Sequence, residues 1–338
     1  MRDADKRADV VSTAPFFIVG SGRSGTTLLR VILASHSRIS IPPETWYLNR
    51  LQEFLELKRP LLPDEVERVA QIMTNHYRWP DMDIDANEFR FEVSQIRTPY
   101  LRDVAEVVYR KHVERDHKSR WGDKTPGYIA ILPQLADIFP EAKFIHFIRD
   151  GRDVAKSFQL RQWYGPWLHE NTREWIESMD FNERWSRTEL SSRIFQASYE
   201  NLVLDTEKSV REICDFLGEQ FEPQMLSWQR QVDNLVPARE AHIHSNLKQE
   251  PDASNIARWK REMTLREVFV AEAFMGRHLK SLGYELKFSS AAWSPLFAIA
   301  RWYCREVWPR LNYPVRAVRR LRRALARSEM PLRKIDRP

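Results

Sequence analysis

Four short stretches of this 338-residue chain carry residue types and spacings suited to chemistry on an anion. In the first, Arg23, Ser24, Gly25, Thr26 and Thr27 follow Gly20 in a glycine-bounded loop. The N–H groups of Gly25, Thr26 and Thr27, unpaired at a helix start, and the positive end of the helix dipole would converge on a negative group. Gly20 and Gly25, with four residues between them, copy a nucleotide-binding pattern, but Thr26 stands where the lysine belongs, which argues against an ordinary NTPase. The second stretch, Pro43-Glu44-Thr45, offers a carboxylate able to take a proton. The third, Trp121-Gly122-Asp123-Lys124-Thr125-Pro126, offers an ammonium that can stabilise developing charge. In the fourth, Arg149 can make paired, charge-assisted bonds and Ser157, two helical turns on, can add a hydroxyl.

Such residues need elements to aim them. Phe16 to Val19 and Lys143 to Ile148 are apolar, β-rich runs that read as buried strands. The first hands over through the glycine loop to a helix from Thr26, the second directly to Arg149. Arg38 to Ile41 and Arg193 to Tyr199 read as further strands. Helical spacing marks Leu48 to Leu57, Pro63 to Thr74, Leu101 to His112, Ile129 to Phe139, Thr172 to Leu190, Thr206 to Leu217 and Leu265 to Leu282. Strands alternating with helices imply an α/β fold with a P-loop-like parallel sheet, whose ligands collect beyond the carboxyl ends of the strands. Glu44, just past a strand stopped by Pro42 and Pro43, would reach that cleft, or would serve as the N-terminal charge of the next helix. His76 to Arg97 is aromatic, acidic and irregular, and reads as a substrate-facing insertion. Trp163, Tyr164, Trp167 and Trp175 are candidates for a substrate wall, His146 for a core histidine, and His112 and His117 for surface positions. His242 and His244 have no third ligand in view, and no metal site is expected.

Net charge is +6, yet Arg301 to Pro338 holds twelve Lys or Arg against three Asp or Glu, so the basicity belongs to the tail. That tail is arginine-rich and aromatic, too interrupted for a membrane span. It suits an interfacial anchor on anionic lipid, and equally a helix pair packed on the domain with a solvated basic face; nucleic acid is the weaker partner. Residues 1–13 lack the apolar core of a signal peptide and read as a frayed, cytoplasmic start. Cys214 and Cys304 stand far apart and read as buried thiols.

Taken together, these stretches resemble the sulfotransferases that use 3′-phosphoadenosine 5′-phosphosulfate (PAPS), especially the branch with tyrosylprotein sulfotransferases and related bacterial enzymes. Arg23-Ser24-Gly25-Thr26-Thr27 matches that family's loop after the first strand residue for residue. The resemblance implies that Glu44 is the catalytic base, and that Lys124, in a Lys-x-Pro element, lies near the bridging oxygen of the phosphosulfate. Arg23 would share the stabilisation of the transferring charge. Arg149 and Ser157 would form the 3′-phosphate site. Tyr199, in Tyr-Glu-Asn-Leu, would approach the same phosphate, and a mobile loop would bring a serine and a basic residue, here Ser245 and Arg258. The spacing of that loop departs from the tyrosylprotein pattern, so these two positions match only loosely. The implied reaction moves a sulfuryl group to a hydroxyl acceptor (protein tyrosine, carbohydrate, lipid or small molecule), leaves 3′-phosphoadenosine 5′-phosphate (PAP) and uses no metal. The resemblance covers roughly the first 285 residues, giving a 14–288 catalytic domain with helical substrate insertions and a 289–338 basic helical tail. Two other readings use the same residues: a P-loop kinase or NTPase, and a lipid- or nucleic-acid-binding scaffold with a vestigial nucleotide site.

Overall fold

The computed structural model describes residues 14–237, 239 and 245–288. They fall into two compact units divided between Thr264 and Leu265.

The first unit is built on five parallel strands: β1 (Phe16–Gly20), β2 (Ile39–Ser40), β3 (Arg120–Lys124), β4 (Lys143–Ile148) and β5 (Ile194–Ser198), in the order β2-β3-β1-β4-β5. After β1 the chain goes to one side for β2 and β3 and to the other for β4 and β5, so the order switches at β1. A crevice is expected there, at the carboxyl ends. β1 alternates its side chains between two cores. Phe17 and Val19 pack with the helices Pro63–Thr74 and Leu101–Arg115, whereas Phe16 and Ile18 pack with Thr26–Ala34 and Thr206–Leu217. Burial on both faces explains the unbroken apolar run, each such side chain contributing about 1.5–3 kcal/mol.

β3 breaks that pattern. Its sequence, Arg120-Trp-Gly-Asp-Lys124, is mostly polar, yet it lies between β2 and β1. Its charged side chains find partners that only the fold supplies: the Arg120 guanidinium donates to Ala14 O (2.7 Å), Leu217 O (3.1 Å) and Glu219 (2.9 Å). A Cβ at Gly122 would come within 2.4 Å of the Phe16 ring, so this strand passes β1 only without a side chain there.

Two expectations are corrected. Residues 76–97 are not irregular, since they hold the helical elements Trp79–Met82 and Ala86–Ser94. Ala86–Ser94 is a helix whose Asp85 accepts from the N–H groups of Asn87 (2.9 Å) and Glu88 (2.8 Å). Trp79 and Phe89 pack together in the core with ring centroids 4.8 Å apart. His112 is buried, because it continues the inward face of Leu101, Val104, Ala105 and Val108, and burial lowers its pKa to about 3. His117 is exposed and His146 buried, as expected.

In the second unit the helix Leu265–Ser281 is followed by a turn in which the N–H groups of Lys287 and Phe288 donate to Glu272 (2.9 and 3.0 Å). No described helix is long and apolar enough to cross a membrane. The expectations for residues 1–13, His242, His244, Cys304 and the basic tail lie outside the described residues.

Candidate active site

The glycine loop joins β1 to the helix Thr26–Ala34 as expected. Gly25 caps that helix at φ 91° with no side-chain hydrogen bond, leaving its first N–H groups uncapped. The Ser24 hydroxyl is fully buried and has no hydrogen-bond partner among the described residues. A buried hydroxyl without a partner beside an uncapped helix start fits an anion that accepts from both. Gly25 is also a steric requirement, since a Cβ there would lie 2.5 Å from the Tyr199 ring. We expect Gly25→Ala to lose about 2–4 kcal/mol in urea denaturation, combining overpacking with the left-handed φ. A loss under about 0.5 kcal/mol, the range of a neutral surface change, would show that the ring yields freely.

Glu44 and Lys124, 80 positions apart, meet directly. The Lys124 ammonium, 2% exposed, donates to Glu44 Oε1 and to Thr27 Oγ1 (3.1 Å), joining the second and third stretches to the loop. Glu44 Oε2 accepts from Trp46 Nε1 (2.6 Å) and Arg78 (3.1 Å). Burial pushes the Glu44 carboxyl up, but the charges of Lys124 and Arg78 outweigh it and hold the group at about 2. The helical turn that follows, Tyr47–Arg50, has no acidic residue in its first turn, so Glu44 is not its N-terminal charge.

On the other side of β1 the fourth stretch closes on the same loop. Arg23, at φ 63°, donates from Nε to Ser157 Oγ (3.1 Å) and lies 5.5 Å from the Trp163 ring. Burial, Arg161 and Arg149 lower its pKa to about 10, with Arg258 adding to the effect. Guanidinium groups that repel one another around one space favour a polyanion between them. Arg149 donates to Asn255 O (2.6 Å) and lies 4.3 Å over the Tyr199 ring, while its Nε has no partner among the described residues. Ring and guanidinium thus join the Arg149 site to Gly25.

Asp150 caps the helix Gly151–Leu160 and binds the Arg152 guanidinium, which stacks on Trp259 at 3.8 Å. Arg152 is therefore buried rather than solvated. Asp153 accepts from Trp259 N (2.7 Å), so this start of the helix is clamped by residues 255–259. Arg258 itself pairs with Glu262 (2.9 Å). Ser245 begins the 3₁₀ turn Ser245–Lys248, but the orientation of its side chain lies outside the described residues.

Trp163, Tyr164 and Trp167 are exposed, as a substrate wall requires, but Trp175 is not part of it. Trp175 is core and donates from Nε1 to Arg149 O (2.9 Å). Glu174 was not apparent from sequence. Its Oε1 accepts from Gly22 N–H (2.6 Å) and its other oxygen from the Tyr164 hydroxyl, tying the aromatic segment to the loop; burial raises its pKa. An acidic residue in the first turn of a helix looks like dipole compensation, and nothing local distinguishes this one. Arg78 carried no signal either.

Residues 15–223 match the model described as the sulfotransferase family. Nodulation protein NoeE of Sinorhizobium fredii is 28% identical over 156 residues, covering 46% of this chain and 33% of that protein. The protein-tyrosine sulfotransferase of Drosophila melanogaster is 26% identical over 211 residues, covering 60% and 37%. The chain spans about a third of the length of the relatives from Aquifex aeolicus and S. fredii. Among solved structures, the sulfotransferase domain of the Synechococcus PCC 7002 olefin synthase superposes with a TM-score of 0.53 at 28% identity, covering 78% of this chain and 95% of that one.

Proposed function

We propose that this chain, which belongs to the sulfotransferase family, moves a sulfuryl group from PAPS to a hydroxyl acceptor and releases PAP. The observation that carries the reading is the Lys124 ammonium bonded at once to Glu44 and to Thr27 of the glycine loop. A proton acceptor and a cation are thereby held at an anion site with no lysine of its own. The Ser24 hydroxyl and the N–H groups of Gly25, Thr26 and Thr27 would hold the 5′-phosphosulfate. Arg149, Ser157 and Tyr199 would hold the 3′-phosphate, with Ser245 and Arg258 contributing from residues 245–258. Glu44 takes the acceptor's proton as its oxygen bonds to sulfur. Lys124 and Arg23 stabilise the electron pair left on the bridging oxygen as the sulfur–oxygen bond breaks.

No metal is assigned a role in this scheme, because arginine, lysine and backbone N–H groups supply the positive charge. The acceptor is a hydroxyl-bearing molecule that enters past Trp163, Tyr164 and Trp167. Contact with anionic lipid through residues 289–338 is the placement that the tail's composition supports.

Calorimetry of PAP against ADP and ATP, without metal, tests the nucleotide. Tighter binding of PAP is the expected result; preference for ATP would favour a kinase. In the same experiment Arg149→Ala should weaken PAP binding by about 1.5–3 kcal/mol, the range for a hydrogen bond to a charged group. ATP binding should change far less. Equal loss for both nucleotides would mean that Arg149 supports the fold rather than the 3′-phosphate.

A further inference from the structure

Behind the Glu44–Lys124 pair, on the opposite face of β3, lies a buried polar cluster to which the scheme above assigns no part. Alternation along the strand sends Lys124 toward Thr27 and Asp123 toward the helix Leu101–Arg115. Asp123 is fully buried. Its Oδ2 accepts from Tyr109 OH (3.0 Å) and Thr45 Oγ1 (2.8 Å). The Thr45 hydroxyl lies 2.5 Å from Tyr128 OH, which accepts from Leu48 N–H (3.2 Å). Thr45 N–H also donates to Thr125 Oγ1 (3.1 Å).

The donor directions in this chain are set by its end. A carboxylate only accepts, so Thr45 donates to Asp123, Tyr128 donates to Thr45, and Leu48 N–H donates to Tyr128. Both ends of a turn are thereby pinned: Thr45 on one side of Trp46 and Leu48 on the other. Trp46 sits at φ 55°, a left-handed conformation that an aromatic residue adopts only under constraint. In that conformation its indole turns back onto Glu44. Burial pushes the Asp123 carboxyl up to about 6, so it is charged in a neutral buffer.

We propose that Asp123 is a positioning residue, the acceptor that holds the Trp46 turn and so sets Glu44 against Lys124. The inference rests on the catalytic reading of that pair, but the geometric part can be tested without it. Indole ¹⁵N–¹H spectra, with Trp46 assigned through Trp46→Phe, read the hydrogen bond to Glu44 directly. In Asp123→Ala the Trp46 resonance should shift while those of Trp175 and Trp259, bonded to Arg149 O and Asp150, stay in place. Turnover of PAPS should fall about 100-fold, the scale of a 1 Å misplacement. PAP affinity should stay within about threefold, as for a change that touches no ligand contact.

Asp123→Asn keeps an acceptor for Thr45 and Tyr109 and should restore both the Trp46 resonance and most of the turnover. Should Asp123→Ala fail to fold, Thr45→Val removes the middle hydroxyl and is expected to move the same resonance. A Trp46 signal that stays put in both folded variants overturns the proposal. All three indoles moving together, or PAP affinity falling in step with turnover, also overturns it, since the role would then be general support. Failure of the wild-type protein to bind PAP would instead sink the sulfotransferase reading and leave the indole test standing.

Discussion

Glu44→Gln is expected to lower turnover by about 10²- to 10⁴-fold, the contribution of a placed general base. PAP affinity should stay within about threefold of wild type, because the glutamine keeps the size of the side chain and no nucleotide contact is assigned to it. With Lys124 and Arg78 beside it, Glu44 is held at about 2, which makes it a weak base near neutrality. The ammonium that depresses it is also the one assigned to the bridging oxygen. On the proposed scheme, a Lys124 that turned toward that oxygen would leave Glu44 without its nearest counter-charge, and the proton affinity of Glu44 would rise at the step that needs it. Loss of PAP affinity equal to the loss of turnover would assign Glu44 to structure instead.

Lys124→Met tests the other half of the pair. Turnover should fall about 10²- to 10³-fold, the scale for removing one group that stabilises transition-state charge. Breaking the buried pair leaves the carboxylate with Arg78 and should cost about 3 kcal/mol of stability at pH 7. The sign of the pH dependence follows from Glu44. In the wild type its folded pKa lies below the unfolded value of 4.5, so the pair's contribution is fully present above pH 4.5 and is lost as pH falls toward 2. In the variant, burial acts with less opposition and the Glu44 pKa rises. Acidification then neutralises the misplaced charge, and the stability gap between the two proteins, read by urea denaturation, should narrow as the pH is lowered. A gap independent of pH would mean that the pair is not what the substitution broke.

Much of this was legible because the signals are local. Phe16 to Val19 and Lys143 to Ile148 announce buried parallel strands by their unbroken apolar content, and the residues after them are aimed by the strand end itself. Pro63–Thr74, Lys143–Ile148 and Thr206–Leu217 appear with the expected bounds. What escaped depends on partners distant in sequence. β3 is central but polar, and Arg120 becomes acceptable there only because Ala14, Leu217 and Glu219 converge on it. Asp123 and Glu174 look like turn and helix-start acids, and their importance lies in hydrogen bonds to residues 78 and 152 positions away. The helix Ala86–Ser94 is a different case. Its Asp85-x-x-Glu88 start is a local capping signal, outweighed in reading by the density of acids and aromatics around it.

The Tyr199 ring touches both anion sites of the proposed scheme, with Arg149 stacked over it and Gly25 pressed against its edge. The two sites therefore cannot drift apart independently, and the distance between them is fixed by the thickness of one aromatic residue and its neighbours. On the proposed function, such a cleft works as a ruler. It selects a nucleotide by the separation of its charges as well as by their number, so a ligand with the same total charge distributed along a single phosphate chain would be the wrong length.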